Sequence, residues 1–119
     1  MSAFLIADVS PADMQAYRDS GYIENVPKIA AEYGGVYRAR GGNTEVLEGT
    51  WQPKRLVIIE FPSWDQLQAF YRCEAYAPFR DVRQELTESH IVALDGIDPQ
   101  TCFPPPASWD SLRLSYWPT

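Results

Sequence analysis

The chain has 119 residues, 45% of them hydrophobic and 13% aromatic, enough apolar material for one domain with a real core and too little length for two. A formal net charge of −6, a pI near 4.6 and a scatter of ten Lys and Arg without a basic stripe exclude the charge balance that nucleic-acid binding requires. No apolar run approaches the roughly 18 residues of a membrane span, and the opening MSAFLIADVS lacks a basic leader, so a first strand and a cytoplasmic protein are expected.

Taken in chain order, residues 4–9 (FLIADV) suit a short strand. Ser10 offers a cap, Pro11 a first helical position and Asp13 a carboxylate in the first turn. Met14, Tyr17, Val26, Ile29, Ala30 and Tyr33 then follow a helical stripe, which Gly21 and Pro27 interrupt. A kink or restart is expected near Asn25, because proline removes a backbone donor and crowds the preceding turn. Gly34 and Gly35 stop the helix.

Residues 36–40 alternate like a strand. Gly41-Gly42-Asn43 reads as a bulge or bend, with the strand continuing through Glu45 to Gly49. After a turn at 51–54, residues 56–61 (LVIIEF) form the most strand-like segment of the chain. Ser63 and Gln66 have the spacing of a capping box for a second helix, which carries Leu67, Phe70 and Tyr71 on its apolar side. A break near Cys73 and a further helical piece from Glu74 to about Thr87 precede a last strand at 90–94.

The order β-α-β-β-α-β is that of an α+β, ferredoxin-like protomer with a four-stranded antiparallel sheet. Residues 56–61 are apolar on both faces, while two helices cover only one, so a second subunit is the economical cover and a homodimer is expected. The domain spans residues 1–97. Residues 98–119 form a Pro- and Trp-rich C-terminal extension whose Phe103, Trp109, Tyr116 and Trp117 suit packing on the body or on the partner subunit.

Cys73 and Cys102 show no metal-like spacing and are expected as reduced thiols. With one histidine and no CxxC, a transition-metal site is not expected. The glycine pairs match neither phosphate-loop spacing, so no nucleotide cofactor is implied.

Several residues are candidates for chemistry. Glu60 ends an apolar strand, where a carboxylate either has a raised pKa suited to proton transfer or is paired with Arg38, Arg40 or Arg55. Arg40 offers a bidentate fork for a carboxylate or enolate, and Gly41 beside it lets a ligand approach the backbone; a structural pairing with Glu45 or Glu60 is the competing reading. Arg38 shares the face of Arg40 if the strand is regular. His90, the only histidine, titrates near neutral pH, and Asp8 is placed to orient it if their strands pair. Tyr37, Tyr71 and Tyr76 belong to the core or line an apolar pocket.

The elements Tyr33-Gly34-Gly35, Arg40-Gly41-Gly42, Glu45 to Gly49, Trp51, Pro53, Arg55, Glu60-Phe61-Pro62-Ser63, Tyr71, Glu74, Tyr76 and Arg83 together resemble the DUF1330 family, over about residues 3–96. Cys73 stands where that family often has serine, and the extension exceeds its usual length. The resemblance implies a dimeric α/β barrel, built from two ferredoxin-like protomers pairing through their sheets. Its wider superfamily includes cofactor-independent monooxygenases, isomerases and polyketide cyclases, an analogy at the level of fold. The functional expectation is a cofactor-independent homodimeric enzyme acting on a partly apolar organic acid or polyketide-like molecule. Glu60 or His90 would transfer protons and Arg40 would stabilise negative charge. The alternative is a non-catalytic or stress-associated ligand-binding dimer whose Arg and Glu residues are salt bridges.

Overall fold

A strand that alternates buried and half-buried residues opens the chain: β1, Ala3–Pro11. The computed structural model describes residues 2–97; the extension at 98–119, with Cys102, lies outside the described residues. After β1 come α1 (Met14–Asp19), α2 (Tyr22–Glu32), β2 (Val36–Arg40), β3 (Leu56–Phe61), α3 (Trp64–Arg72), α4 (Ala77–Leu86) and β4 (Thr87–Asp95). The ferredoxin-like order of the sequence is therefore present, with each expected helix divided in two.

The caps show why. Ser10 and Pro11 belong to the end of β1, and the cap of α1 is Asp13, whose Oδ1 accepts from the amides of Gln15 and Ala16 at 2.9 and 3.2 Å. The break falls at Ser20–Gly21 rather than near Asn25. Gly21 has φ +84°, a left-handed conformation that costs glycine nothing and ends α1 sharply. Pro27 is tolerated inside α2. Its missing N–H leaves the carbonyl of Ile23, four residues earlier, without a helical donor. Amides from Gly34 and Gly35 return to Ala31 and Ala30 and close α2 as expected. Ser63 caps α3 by accepting from the Gln66 amide at 3.2 Å. Extended backbone at Cys73, a free thiol, separates α3 from α4.

The sheet order is β2-β3-β1-β4, antiparallel throughout, with Leu5 opposite both Ile59 and Ala93. Residues 41–55 contain no strand; the expected continuation through Glu45–Gly49 is instead an exposed loop. Asp8 anchors it. Its Oδ1 accepts from the amides of Lys54 and Arg55 at 2.9 and 3.1 Å, and its Oδ2 accepts from Trp51 Nε1 at 3.3 Å.

One sheet face packs on the helices: Ala3, Leu5, Ala7, Val9, Val57, Ile59 and Phe61 meet Tyr17, Val26, Ala30, Leu67, Phe70 and Tyr76, all buried. The opposite face carries Phe4, Ile6 and Ile58 half-buried, and Val92 and Leu94 at 58% and 55% exposure. Both faces are apolar, as the composition of β3 foretold, and among the described residues no helix covers the second.

Candidate functional site

A single irregularity in β2 decides where the predicted residues go. Tyr37 pairs with Ile59 and Ala39 with Ile58, so Arg38 is an extra residue in the ladder. Side chains alternate with period two, and one inserted residue reverses everything beyond it. Arg38 and Arg40, expected on one face, consequently part. Arg38 Nε donates to Glu60 Oε1 at 2.9 Å, on the side of the sheet that no helix covers. Arg40 turns to the helices, its guanidinium 5.2 Å from the centre of the Tyr37 ring.

Arg40 Nη2 donates to the Ile23 carbonyl at 3.2 Å, the acceptor that Pro27 leaves without a partner. The strand arginine thus substitutes for the missing helical donor. Gly41 does not offer an open approach. A Cβ there would meet Arg55 Nε at 2.9 Å, so the room that glycine leaves is filled by the Arg55 side chain.

Glu60 and Arg40 therefore share no cavity. The Ser2 hydroxyl and the Arg38 guanidinium beside Glu60 hold its carboxyl below the usual range, the reverse of the raised value expected for a proton donor. His90 lies directly opposite Asp8 across β1 and β4 and is exposed. The Asp8 carboxylate, however, serves the loop at Trp51, Lys54 and Arg55.

The structure instead brings together a group of phenols under the helices. Tyr17, Tyr22, Tyr37 and Tyr76, with Arg40 and Arg55, wall a cleft of about 40 Å³ whose remaining lining is apolar. The Tyr22 and Tyr76 hydroxyls are 2.7 Å apart, and Tyr76 stacks on Phe70 at 4.8 Å between ring centres. Tyr71 lies outside this cleft, its ring 5.7 Å from Tyr76 and covered by Arg80 at 5.5 Å. Arg83, only 3% exposed, sits beyond it; its spacing four residues after Phe79 and seven after Tyr76 is the signal that could have marked it as buried.

Burial pushes the Tyr17 and Tyr37 phenols up to about 12 and raises Tyr22 further. A pKa raised in the folded state gives stability that is complete below the unfolded value of about 10 and is lost as pH rises through the folded one. Tyrosinate absorbance should then rise in two phases, the later one coinciding with loss of near-ultraviolet circular dichroism between about pH 10 and 12. If all seven tyrosines ionise together near the ordinary value with the fold intact, the cleft is not closed to water.

Comparison with known proteins bears on fold. A protein of unknown function from Rhodopseudomonas palustris superposes with a TM-score of 0.64 at 19% identity, covering 82% of this chain and 84% of its own. A protein from Bacteroides fragilis, described as dimeric, of unknown function and ferredoxin-like in fold, superposes with a TM-score of 0.52 at 15% identity, covering 80% and 96%. No curated protein sequence matches the chain. The divided βαββαβ order, the four-stranded sheet and a family-model match over residues 2–97 agree, and the chain belongs to the family described as a domain of unknown function, DUF1330.

Proposed function

We propose that the protein is a homodimer that takes a partly apolar small organic acid into the tyrosine-walled cleft and acts on it by acid–base chemistry without a cofactor. The observation that carries this reading is the cleft itself: four phenols and two guanidiniums around an otherwise apolar space. Such a mixture of apolar wall and few polar groups is typical of ligand sites. At about 40 Å³ it is far below the roughly 300–1,000 Å³ of an occupied site, so entry requires Arg40 to swing from the Ile23 carbonyl. Arg40 is exposed and held there by one hydrogen bond and one ring contact. Moved onto a ligand, its fork meets a carboxylate or developing enolate. The hydroxyls of Tyr22 and Tyr76, 2.7 Å apart, supply hydrogen bonds at the inner end. Glu60, Arg38 and His90 lie on the other face and would join the chemistry only in a second site between sheets.

Thermal-shift screening against small organic acids tests this. A stabilising acid whose effect disappears in Arg40→Ala and persists in Glu60→Gln supports the cleft. The opposite pattern places the ligand at the open sheet face and defeats it.

The non-catalytic alternative is favoured by a specific observation, the satisfied Arg38–Glu60 pair. It predicts binding without turnover of any acid found by the screen.

The dimer rests on the uncovered apolar face. Light scattering should give twice the 13.5 kDa of the chain, and Val92→Asp with Leu94→Lys should return it to that mass. A wild-type monomer at micromolar concentration refutes the dimer.

A further inference from the structure

Among the described residues, Arg83 is a buried cation without an anion. It is 3% exposed, and among the described residues no carboxylate pairs with it. Removing a charge from water costs several kcal/mol unless a partner is supplied, and this chain has sixteen acidic residues from which to supply one. Instead hydroxyls surround the guanidinium. Arg83 Nη1 donates to Ser89 Oγ at 2.7 Å. Thr87 Oγ1 donates to the Arg83 carbonyl at 2.6 Å, so in the 3.1 Å contact between the two hydroxyls Ser89 is the donor.

That ring of bonds uses the Nη1 side and leaves the other. Nη2 has only a long contact, 3.5 Å, to the Tyr71 hydroxyl, and Nε has no partner among the described residues. Together Nε and Nη2 form the side-on edge of the guanidinium, which matches the two oxygens of a carboxylate. Burial opposes the charge, but the neighbouring Tyr76 and Tyr22 more than offset it and hold the Arg83 pKa above its ordinary value, and a guanidinium stays charged throughout the working pH range.

There is room beside it. Arg83, Tyr71, Thr87 and Ser89 line a polar pocket of about 240 Å³. A groove of about 200 Å³ shares Tyr71 and Ile91 with this pocket and continues along Leu67, Val92 and Ala93. Arg72 also lines the groove, and Arg80 covers the Tyr71 ring, so three guanidiniums gather here on a chain of net charge −6.

We infer that this pocket and groove bind an amphiphilic organic acid, its carboxylate on the Nε–Nη2 edge of Arg83 and its hydrocarbon tail along Leu67 and Ile91. The site is separate from the Arg40 cleft and does not depend on it. Nε is sealed from solvent, so in the bound state the Tyr71 ring moves aside, one carboxylate oxygen takes the place of its hydroxyl at Nη2, and the second reaches the Nε that this movement uncovers.

The test is a titration of the wild-type protein with sodium hexanoate, followed through the Arg83 Nε–H resonance in proton–nitrogen spectra. A saturable shift is expected, weaker with acetate, each methylene that enters the groove tightening binding by up to about fourfold. Arg83→Lys identifies the resonance and should abolish hexanoate binding; should that variant not fold, the wild-type titration still decides. An equal shift with hexanol or chloride, or none with hexanoate, overturns the inference. Hexanoate binding that survives Arg83→Lys but is lost in Arg40→Ala also overturns it, while leaving the proposed cleft intact. Binding lost only in Arg83→Lys supports it whatever the fate of the cleft.

Discussion

Replacing Phe70 by alanine is expected to destabilise the protein by about 3–5 kcal/mol, the range for deleting a buried aromatic ring. Phe70 is 1% exposed and stands at the centre of an aromatic group, its ring 4.8 Å from Tyr76, 5.2 Å from Phe61 and 6.2 Å from Tyr33. Each such pair adds about 0.5–1.5 kcal/mol beyond area burial, and the rings belong to separate elements that cannot all follow a shrinking side chain. Phe70 also lines the cleft, so the variant would enlarge that narrow space at the expense of core packing. Urea denaturation checks this: the midpoint should fall with the slope unchanged. Phe70→Leu should cost under about 1.5 kcal/mol, as conservative core changes do. A loss below about 1 kcal/mol in Phe70→Ala would mean that the helices collapse onto the vacancy, contrary to the rigid packing inferred here.

Asp8→Ala is expected to cost about 2–3 kcal/mol, the worth of a charged acceptor with several donors when part of the exposed group can turn to water. Asp8 is buried and, among the described residues, is the one side chain whose hydrogen bonds tie residues 51–55 to β1. The change should also free the Trp51 indole and make the 41–55 loop a preferred site of proteolysis. Asp8→Asn separates the two oxygens. It can keep the acceptor for Lys54 and Arg55 while turning an amide donor toward Trp51 Nε1, and should cost about 1 kcal/mol, one hydrogen bond. Equal losses in the two variants would show that the negative charge, not the acceptor geometry, holds the loop.

Both positions illustrate how far the sequence could be read. Phe70 was legible as core because it recurs with Leu67 at helical spacing. Asp8 was legible only as a polar residue in an apolar strand, and its role was assigned to His90 across the sheet. That assignment had the right register, since the two residues do face each other, but the wrong acceptor use. A carboxylate's partners are set by whichever donors tertiary structure brings nearest, here backbone amides some forty-five residues away.

Local signals carried the element order. Alternation in β2, the continuous β-branched run of β3, the cap at Ser63 and the glycine stop at Gly34–Gly35 act over a few residues, so they survive without knowledge of the rest of the chain. Apolar residues on both faces of β3 likewise showed in advance that one face would be left without a helix. The expected strand through Glu45–Gly49 failed for the complementary reason: a strand exists only if another strand pairs with it.

What the sequence alone determined is therefore the fold class, the number of strands and the surplus of apolar surface, because these follow from periodicity and composition. Tertiary structure alone decided which residues share a space. The extra residue at Arg38 sends it to Glu60 and Arg40 to the helices, since a one-residue slip reverses the faces of a strand. Pro27 recruits Arg40 by leaving a carbonyl unpaired, and α4 buries Arg83 among hydroxyls, with no anion beside it among the described residues. These are long-range satisfactions of single polar groups, and no local pattern encodes them.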